Sequence, residues 1–259
     1  MSIYIESRGQ GRDLVLLHGW GMNGAVFETF ATELTSFCRV HVVDLPGYGH
    51  SQPVAETHLE LDVLVAQLSA ALPQNAILMG WSLGGMLAWQ MALSAPQRWA
   101  GVITMASSPR FVATEGWPGV APSVLQGFAR SLQQDSSRTV ERFLAIQAMG
   151  SPSAREDARR MKDRLACRPA PTPAALTAGL ALLNSLDLRT QLSSLSIPML
   201  SLFGRLDALV PVAVMEQSCW QRPHLQTICL TASAHAPFLT EPEAVYHLVQ
   251  QFMSRLSVL

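Results

Sequence analysis

The chain has 259 residues, of which 49% are hydrophobic and 14% charged, with a formal net charge of −1. This composition excludes a chain disordered throughout, and the near-neutral balance argues against a generic nucleic-acid binder. No run of about 18 uninterrupted apolar residues occurs, and no basic segment followed by a long apolar one opens the chain. Neither a membrane span nor a secretory signal is therefore expected, and a cytoplasmic location is.

Short apolar runs at 14–17, 40–43, 76–79, 102–105, 199–203 and 227–230 read as strands buried on both faces. Helical stretches at 59–72 and 83–94 separate the early ones, so the alternation predicts an α/β fold with a mostly parallel central sheet. About a dozen residues precede the first run. That leaves room for one short strand and predicts a sheet of seven.

The alternation stops after Ser107-Ser108-Pro109. Helices are predicted over 122–133, 138–149, 154–165 and 174–184, the third opened by a capping box of Ser153 and Glu156. The expected organisation is a core of residues 1–109 and 187–259 with an all-helical cap, 110–186, inserted between two strands. Charge divides the same way. Residues 110–186 hold ten basic and six acidic side chains, a net of +4, while the remainder nets −5. Cys38, Cys167, Cys219 and Cys229 form no CxxC pair, and no His stands at zinc-finger spacing from them. They are expected to be buried or half-buried free thiols.

Gly80-Trp81-Ser82-Leu83-Gly84 fits G-x-S-x-G between a predicted strand and a predicted helix. That context suits a nucleophilic Ser82 on a tight strand-to-helix turn, where small neighbours are needed and the helix N-terminus faces the reaction centre. A serine hydroxyl needs an adjacent base, and this arrangement supplies acid and His in the chain order Ser, acid, His. His235 follows the last predicted strand. Asp207 follows the strand at 199–203, whereas Asp187 precedes it and Asp44 precedes Ser82. Ser82, Asp207 and His235 are thus the expected triad. The oxyanion donors are expected to be the N–H groups of Leu83 and of Trp20, in the loop His18-Gly19-Trp20-Gly21; the Trp20 ring can pack as well. Such chemistry requires no metal and no organic cofactor.

Within the insert, Val140, Phe143, Leu144 and Gln147 form one helical stripe. It reads either as plain core or as a segment, Phe143, Leu144, Ala145, Ile146 and Gln147, that lines an acyl channel. Arg138 and Arg142 share one helix face, and Arg155, Arg159 and Lys162 share another. These faces are either solvated, being partly offset by Glu141, Glu156, Asp157 and Asp163, or they meet an anionic partner.

Together the segments His18-Gly19-Trp20-Gly21, Asp44-Leu45-Pro46-Gly47-Tyr48-Gly49-His50-Ser51, Gly80-Trp81-Ser82-Leu83-Gly84-Gly85, Gly204-Arg205-Leu206-Asp207 and Ala234-His235 resemble the α/β-hydrolase superfamily over nearly the whole chain. The superfamily often has Gly where this chain has Ala234. A closer resemblance is to the pimeloyl-[acyl-carrier protein] methyl ester esterases of biotin synthesis. It extends through Ala106-Ser107-Ser108-Pro109, Arg138-Thr139-Val140-Glu141-Arg142-Phe143-Leu144-Ala145 and Ala234-His235-Ala236-Pro237-Phe238. This resemblance implies hydrolysis of a carrier-linked methyl ester to the free carboxylate and methanol. It also implies that a small acidic carrier protein docks on Arg138, Arg142, Arg155 and Arg159. A monomer is expected.

Overall fold

The structure, a computed structural model, describes residues 2–52 and 55–256. The first half alternates as β1 (Ile5–Gly9), β2 (Asp13–Leu17), α1 (Glu28–Leu34), β3 (Arg39–Val43), α2 (Leu61–Ala71), β4 (Ala76–Trp81), α3 (Leu83–Ser94) and β5 (Trp99–Met105). Four helices follow without a strand: α4 (Pro122–Gln134), α5 (Ser136–Ala148), α6 (Ala154–Leu165) and α7 (Pro173–Ser185). Then come β6 (Met199–Gly204), β7 (Leu225–Leu230), α8 (Pro237–Thr240) and α9 (Pro242–Leu256).

The strands form one sheet in the order β1-β3-β2-β4-β5-β6-β7, with β1 antiparallel to β3 and every other pair parallel. Leu14 to Leu17 and Ala76 to Met79 are 0% exposed, as runs covered on both faces must be. The chain order turns back on itself at β2, whose neighbours are β3 and β4. In an open parallel sheet such a reversal opens a crevice at the carboxyl ends of the strands, and ligands bind there. The loop His18–Gly21 leaves β2 there, and Ser82 leaves β4 beside it.

The neck of the inserted helices is clipped. Arg110 and Asp187 form an antiparallel bridge, their side chains pair at 2.8 Å, and the Leu188 N–H donates to Pro109 O at 2.8 Å. A second tie lies between α6 and α7, where Arg168 reaches Asp44 and Glu6 of the sheet layer, each at 2.8 Å. Asp44, 0% exposed, also accepts from the Gly24 and His50 N–H groups, so its place is structural.

Two sequence expectations are corrected. The Ser153 side chain caps no backbone N–H at the start of α6; it donates to Asp157 Oδ2, as Ser151 does, and Glu156 pairs with Arg160 instead. The buried Asp157 carboxylate attracts the hydroxyl more strongly than a neutral backbone donor does. Lys162 bridges to Glu141 on α5 at 2.8 Å, in keeping with the reading in which Glu141 offsets these faces in part. Cys167 is exposed, while Cys38 and Cys219 are buried and Cys229 half-buried. Among the described residues no helix is long and apolar enough to cross a membrane.

Candidate active site

Ser82 sits between β4 and α3 with φ 54° and ψ −118°, a region that non-glycine residues seldom adopt. The surroundings hold it there. Its N–H donates to Met105 O at 2.9 Å, and its carbonyl accepts the Ser107 hydroxyl at 2.8 Å. The flanking glycines are required by contact: a Cβ on Gly80 would lie 2.2 Å from Gly84 O, and one on Gly84 would lie 2.2 Å from Leu17 O. Strain of this kind, over-determined by the fold, is typical of functional turns.

The three expected triad residues come together. Ser82 Oγ stands 2.9 Å from His235 Nε2, and His235 Nδ1 stands 2.8 Å from Asp207 Oδ2. Donation of Nδ1–H to the carboxylate leaves Nε2 free to accept the serine proton. The other carboxylate oxygen of Asp207 accepts the Leu209 and Val210 N–H groups at 2.8 and 3.0 Å, which fixes its rotation. Ser82 and His235 are 1% and 0% exposed. Asp187, the alternative acid, is bound at the neck by Arg189 and Arg110. The Arg189 guanidinium, helped by Arg110, holds its carboxyl down at about 2.

The two expected oxyanion donors lie in the loop after β2 and at the start of α3. Leu83 opens α3, so its N–H is one of those a helix leaves unpaired. Among the described residues the Trp20 N–H has no acceptor. The Trp20 ring packs as well: its Nε1 donates to Leu176 O at 2.8 Å, and it meets the Phe143 ring edge-on at 4.8 Å. Gly179 lets α7 approach, since a Cβ there would lie 2.8 Å from Trp20 Cδ1.

The five-residue segment on α5 splits. Phe143, Leu144 and Gln147 are buried, Ile146 is half-buried, and Ala145 faces solvent. Five consecutive helical residues turn through about 400°, so they cannot all face one channel. Gln147 meets the triad through its backbone, its carbonyl accepting the His235 N–H at 3.3 Å. Its side-chain amide is buried, and neither its oxygen nor its nitrogen has a hydrogen-bond partner among the described residues. Arg138, Arg142, Arg155 and Arg159 are all exposed.

Sequence reasoning missed two positioning residues. Trp81 Nε1 donates to His235 O at 2.6 Å, and Ser107 holds the Ser82 carbonyl. Ser107 follows β5 at the carboxyl edge of the sheet, where site residues gather, and that position was the available signal.

His18, the first residue of the Trp20 loop, is structural. Its Nδ1–H donates to Gly19 O, and its Nε2 accepts the Leu45 N–H at 3.0 Å. Burial pushes it down to about 4, against the opposing pull of Asp44. An unfolded His titrates near 6.5, so between about pH 6.5 and 4 only the unfolded chain takes up this proton. Stability is therefore lost as pH falls through that window, by about 3 kcal/mol for this group. Urea unfolding from pH 7 to 4.5 should show that loss, and His18→Asn should flatten it. Equal pH dependence in the two proteins would contradict this account.

Comparison with known proteins agrees with this fold. The family model described as alpha/beta hydrolase fold matches residues 14–242. A pimeloyl-[acyl-carrier protein] methyl ester esterase of Aeromonas hydrophila is 49% identical, covering 98% of this chain and 100% of its own length. A protein of the same name from Vibrio campbellii is 50% identical, covering 97% and 98%. Among solved structures, an esterase from Exiguobacterium antarcticum superposes with a TM-score of 0.84 at 23% identity, covering 97% of this chain and 95% of that one. A bromoperoxidase from Bacillus anthracis superposes with a TM-score of 0.86 at 22% identity, covering 97% and 95%; at that identity the likeness is one of fold. With the fold matched almost end to end and close relatives matched over their full length, the chain belongs to the alpha/beta hydrolase fold family and, within it, to the pimeloyl-[acyl-carrier protein] methyl ester esterases.

Proposed function

We propose that this protein is a serine carboxylesterase that removes the methyl group from a pimeloyl-acyl-carrier-protein methyl ester, the step that frees a carboxylate for biotin synthesis. It acts as a cytoplasmic monomer. The observation that carries the reading is the unbroken hydrogen-bond line Ser82–His235–Asp207 beneath a basic insert built on four helices.

Ser82 Oγ attacks the ester carbonyl while His235 Nε2 takes its proton. Asp207 holds the imidazole and stabilises the imidazolium. The N–H groups of Leu83 and Trp20 receive the oxyanion, each such donor being worth about 10²–10³ in kcat. Collapse of the tetrahedral adduct breaks the C–O bond to the methoxy group, which leaves as methanol with the proton from His235. Water, deprotonated by the same nitrogen, then releases the acid from Ser82. Phe143, Leu144 and Gln147 line the acyl end. The unpartnered amide of Gln147 supports this, since a buried polar group without a partner costs about 1–3 kcal/mol. The alternatives on the same scaffold are a generalist short-chain esterase, a carbon–carbon bond hydrolase and a non-catalytic receptor. No gain from a carrier protein would favour the first.

Arg138, Arg142, Arg155 and Arg159 form the carrier-docking surface. Arg138 and Arg155 have no ion-pair partner among the described residues, and Arg159 has only a loose one, Asp163 at 3.8 Å. Each rim contact is worth about 0.2–1 kcal/mol, so four together change kcat/KM about 5-fold to several-hundred-fold. The quadruple Arg→Glu variant should lose that much more on a carrier-linked ester than on a free methyl ester of equal chain length. The loss should fall mainly on KM and shrink at high salt. Equal losses on both esters would mean a damaged insert and refute docking there.

A further inference from the structure

His235 stands in a stretch, residues 231–236, that is neither helix nor strand. No regular ladder of backbone bonds fixes it, so contacts from outside must. Two act at His235 itself: Trp81 Nε1 donates to its carbonyl, and the Gln147 carbonyl accepts its N–H. Two more act just upstream, and both end on one oxygen of Glu241. Oε2 accepts the Ala232 N–H at 3.0 Å and the Ser233 hydroxyl at 2.5 Å. The chain from Ala232 to Glu241 therefore closes on itself with His235 inside the ring. The Thr240 hydroxyl, donating to Ser233 Oγ at 2.8 Å, closes it a second time.

Ser233 is also where this ring meets the loop of the acid. Its carbonyl accepts the N–H of Leu206, the residue before Asp207, at 2.9 Å, and the Leu230 carbonyl accepts the Arg205 N–H at 2.9 Å. The two loops touch so closely that a Cβ on Gly204 would lie 2.1 Å from Ala234 O. How Ser233 is held thus sets how the loop of the base lies against the loop of the acid, and with it the 2.8 Å between His235 Nδ1 and Asp207 Oδ2.

Ser233 is 0% exposed, so its hydroxyl has to be paired within the fold. Glu241 reaches it from a fixed base. The Glu241 N–H donates to Pro237 O at 2.8 Å at the end of α8, and its carbonyl accepts the Val245 N–H at 3.1 Å at the start of α9. Among the described residues no Lys, Arg or His pairs with its carboxylate, which is spent on two neutral donors instead. Bonds of that kind are roughly twice as strong as those between neutral groups.

We propose that Glu241 is a positioning residue of the esterase: by gripping Ala232 and Ser233 it holds the loop of the base on the loop of the acid, and so keeps the His235 imidazole in line between Asp207 and Ser82. It acts through Ser233 and not on the substrate. The proposal rests on His235 being the base, as in the reading above.

Because one oxygen takes both bonds, substitutions at this position separate geometry from charge. Glu241→Gln can leave its amide oxygen in the same place and should keep kcat within about 3-fold of the wild type. Glu241→Ala leaves nothing there, and Glu241→Asp is one methylene too short. Each should lower kcat about 10- to 100-fold on a short methyl ester with KM unchanged, as a misplacement of about 1 Å at the base does. Ser233→Ala should cost less than Glu241→Ala, since the Ala232 bond remains, and combining the two should cost little more than Glu241→Ala alone. The Nδ1 proton that His235 shares with Asp207, followed by NMR, should stay protected from exchange in Glu241→Gln and lose protection in Glu241→Ala. Wild-type kcat in folded Glu241→Ala protein, a loss in Glu241→Gln as deep as in Glu241→Ala, or a loss carried by KM would overturn the proposal. In that event His235→Ala tells which reading has failed. If it abolishes turnover, the role of Glu241 alone falls; if it leaves turnover intact, the esterase mechanism falls with it.

Discussion

Ser82→Ala is expected to lower kcat by about 10⁴- to 10⁶-fold, a loss of about 5–8 kcal/mol of transition-state stabilisation. The size follows from the connection of the parts. Without Oγ, His235 has no proton to take and Asp207 no imidazolium to stabilise, so one deletion removes the work of all three. The oxyanion donors and the binding site remain and keep a small residual rate. The fold should persist. Alanine retains the Cβ that the turn already accommodates at φ 54°, and both backbone anchors of Ser82, to Met105 and from Ser107, are untouched. Circular dichroism and Tm check the fold, and steady-state ester hydrolysis gives the rate. Covalent labelling of the wild type at Ser82 by a fluorophosphonate tests the nucleophile separately and would exclude a non-catalytic receptor. Substantial turnover by pure, folded Ser82→Ala protein would refute the mechanism.

Asp207→Asn is expected to cost about 10⁴-fold in kcat with little change of shape. The structure gives a specific reason. One carboxylate oxygen of Asp207 is held by the Leu209 and Val210 N–H groups, so in the variant the amide oxygen must stay on that side. The amide nitrogen then faces His235 Nδ1 and donates to it. The imidazole proton moves to Nε2, the nitrogen that has to accept from Ser82, and the base is lost. Asp187→Asn makes the contrast, because Asp187 pairs with Arg110 and Arg189 at the neck of the insert and not with His235. Its effect should be on stability. The acid assignment fails if Asp187→Asn is crippled in kcat while Asp207→Asn turns over like the wild type.

Much of this protein is determined locally. Buried parallel strands announce themselves as unbroken apolar runs, and each of the six expected strands lies within an observed one. The turn at Ser82 needs small residues on both sides for reasons of contact, so G-x-S-x-G after a strand identifies it. Chain order at the carboxyl ends of strands then selects His235 and Asp207. The helices over 83–94 and 154–165 end where their patterns end.

Other features were decided only by the tertiary structure, because they depend on what lies across from a residue. The Ser153 hydroxyl chose the buried carboxylate of Asp157 over the backbone, and Lys162 chose Glu141 on the facing helix. No local pattern reports such partners. Ala145 sits in the same run as Phe143 and Gln147 but points to solvent, because only packing settles which arc of α5 is covered. Trp81, Ser107 and the Gln147 carbonyl converge on Ser82 and His235; the first two bonds need the sheet assembled, and the third forms only once sheet and insert are closed together. A motif is legible when its geometry is dictated within a few residues of backbone. A contact between residues about 90 positions apart, such as Gln147 and His235, is set by the free energy of the whole packed chain.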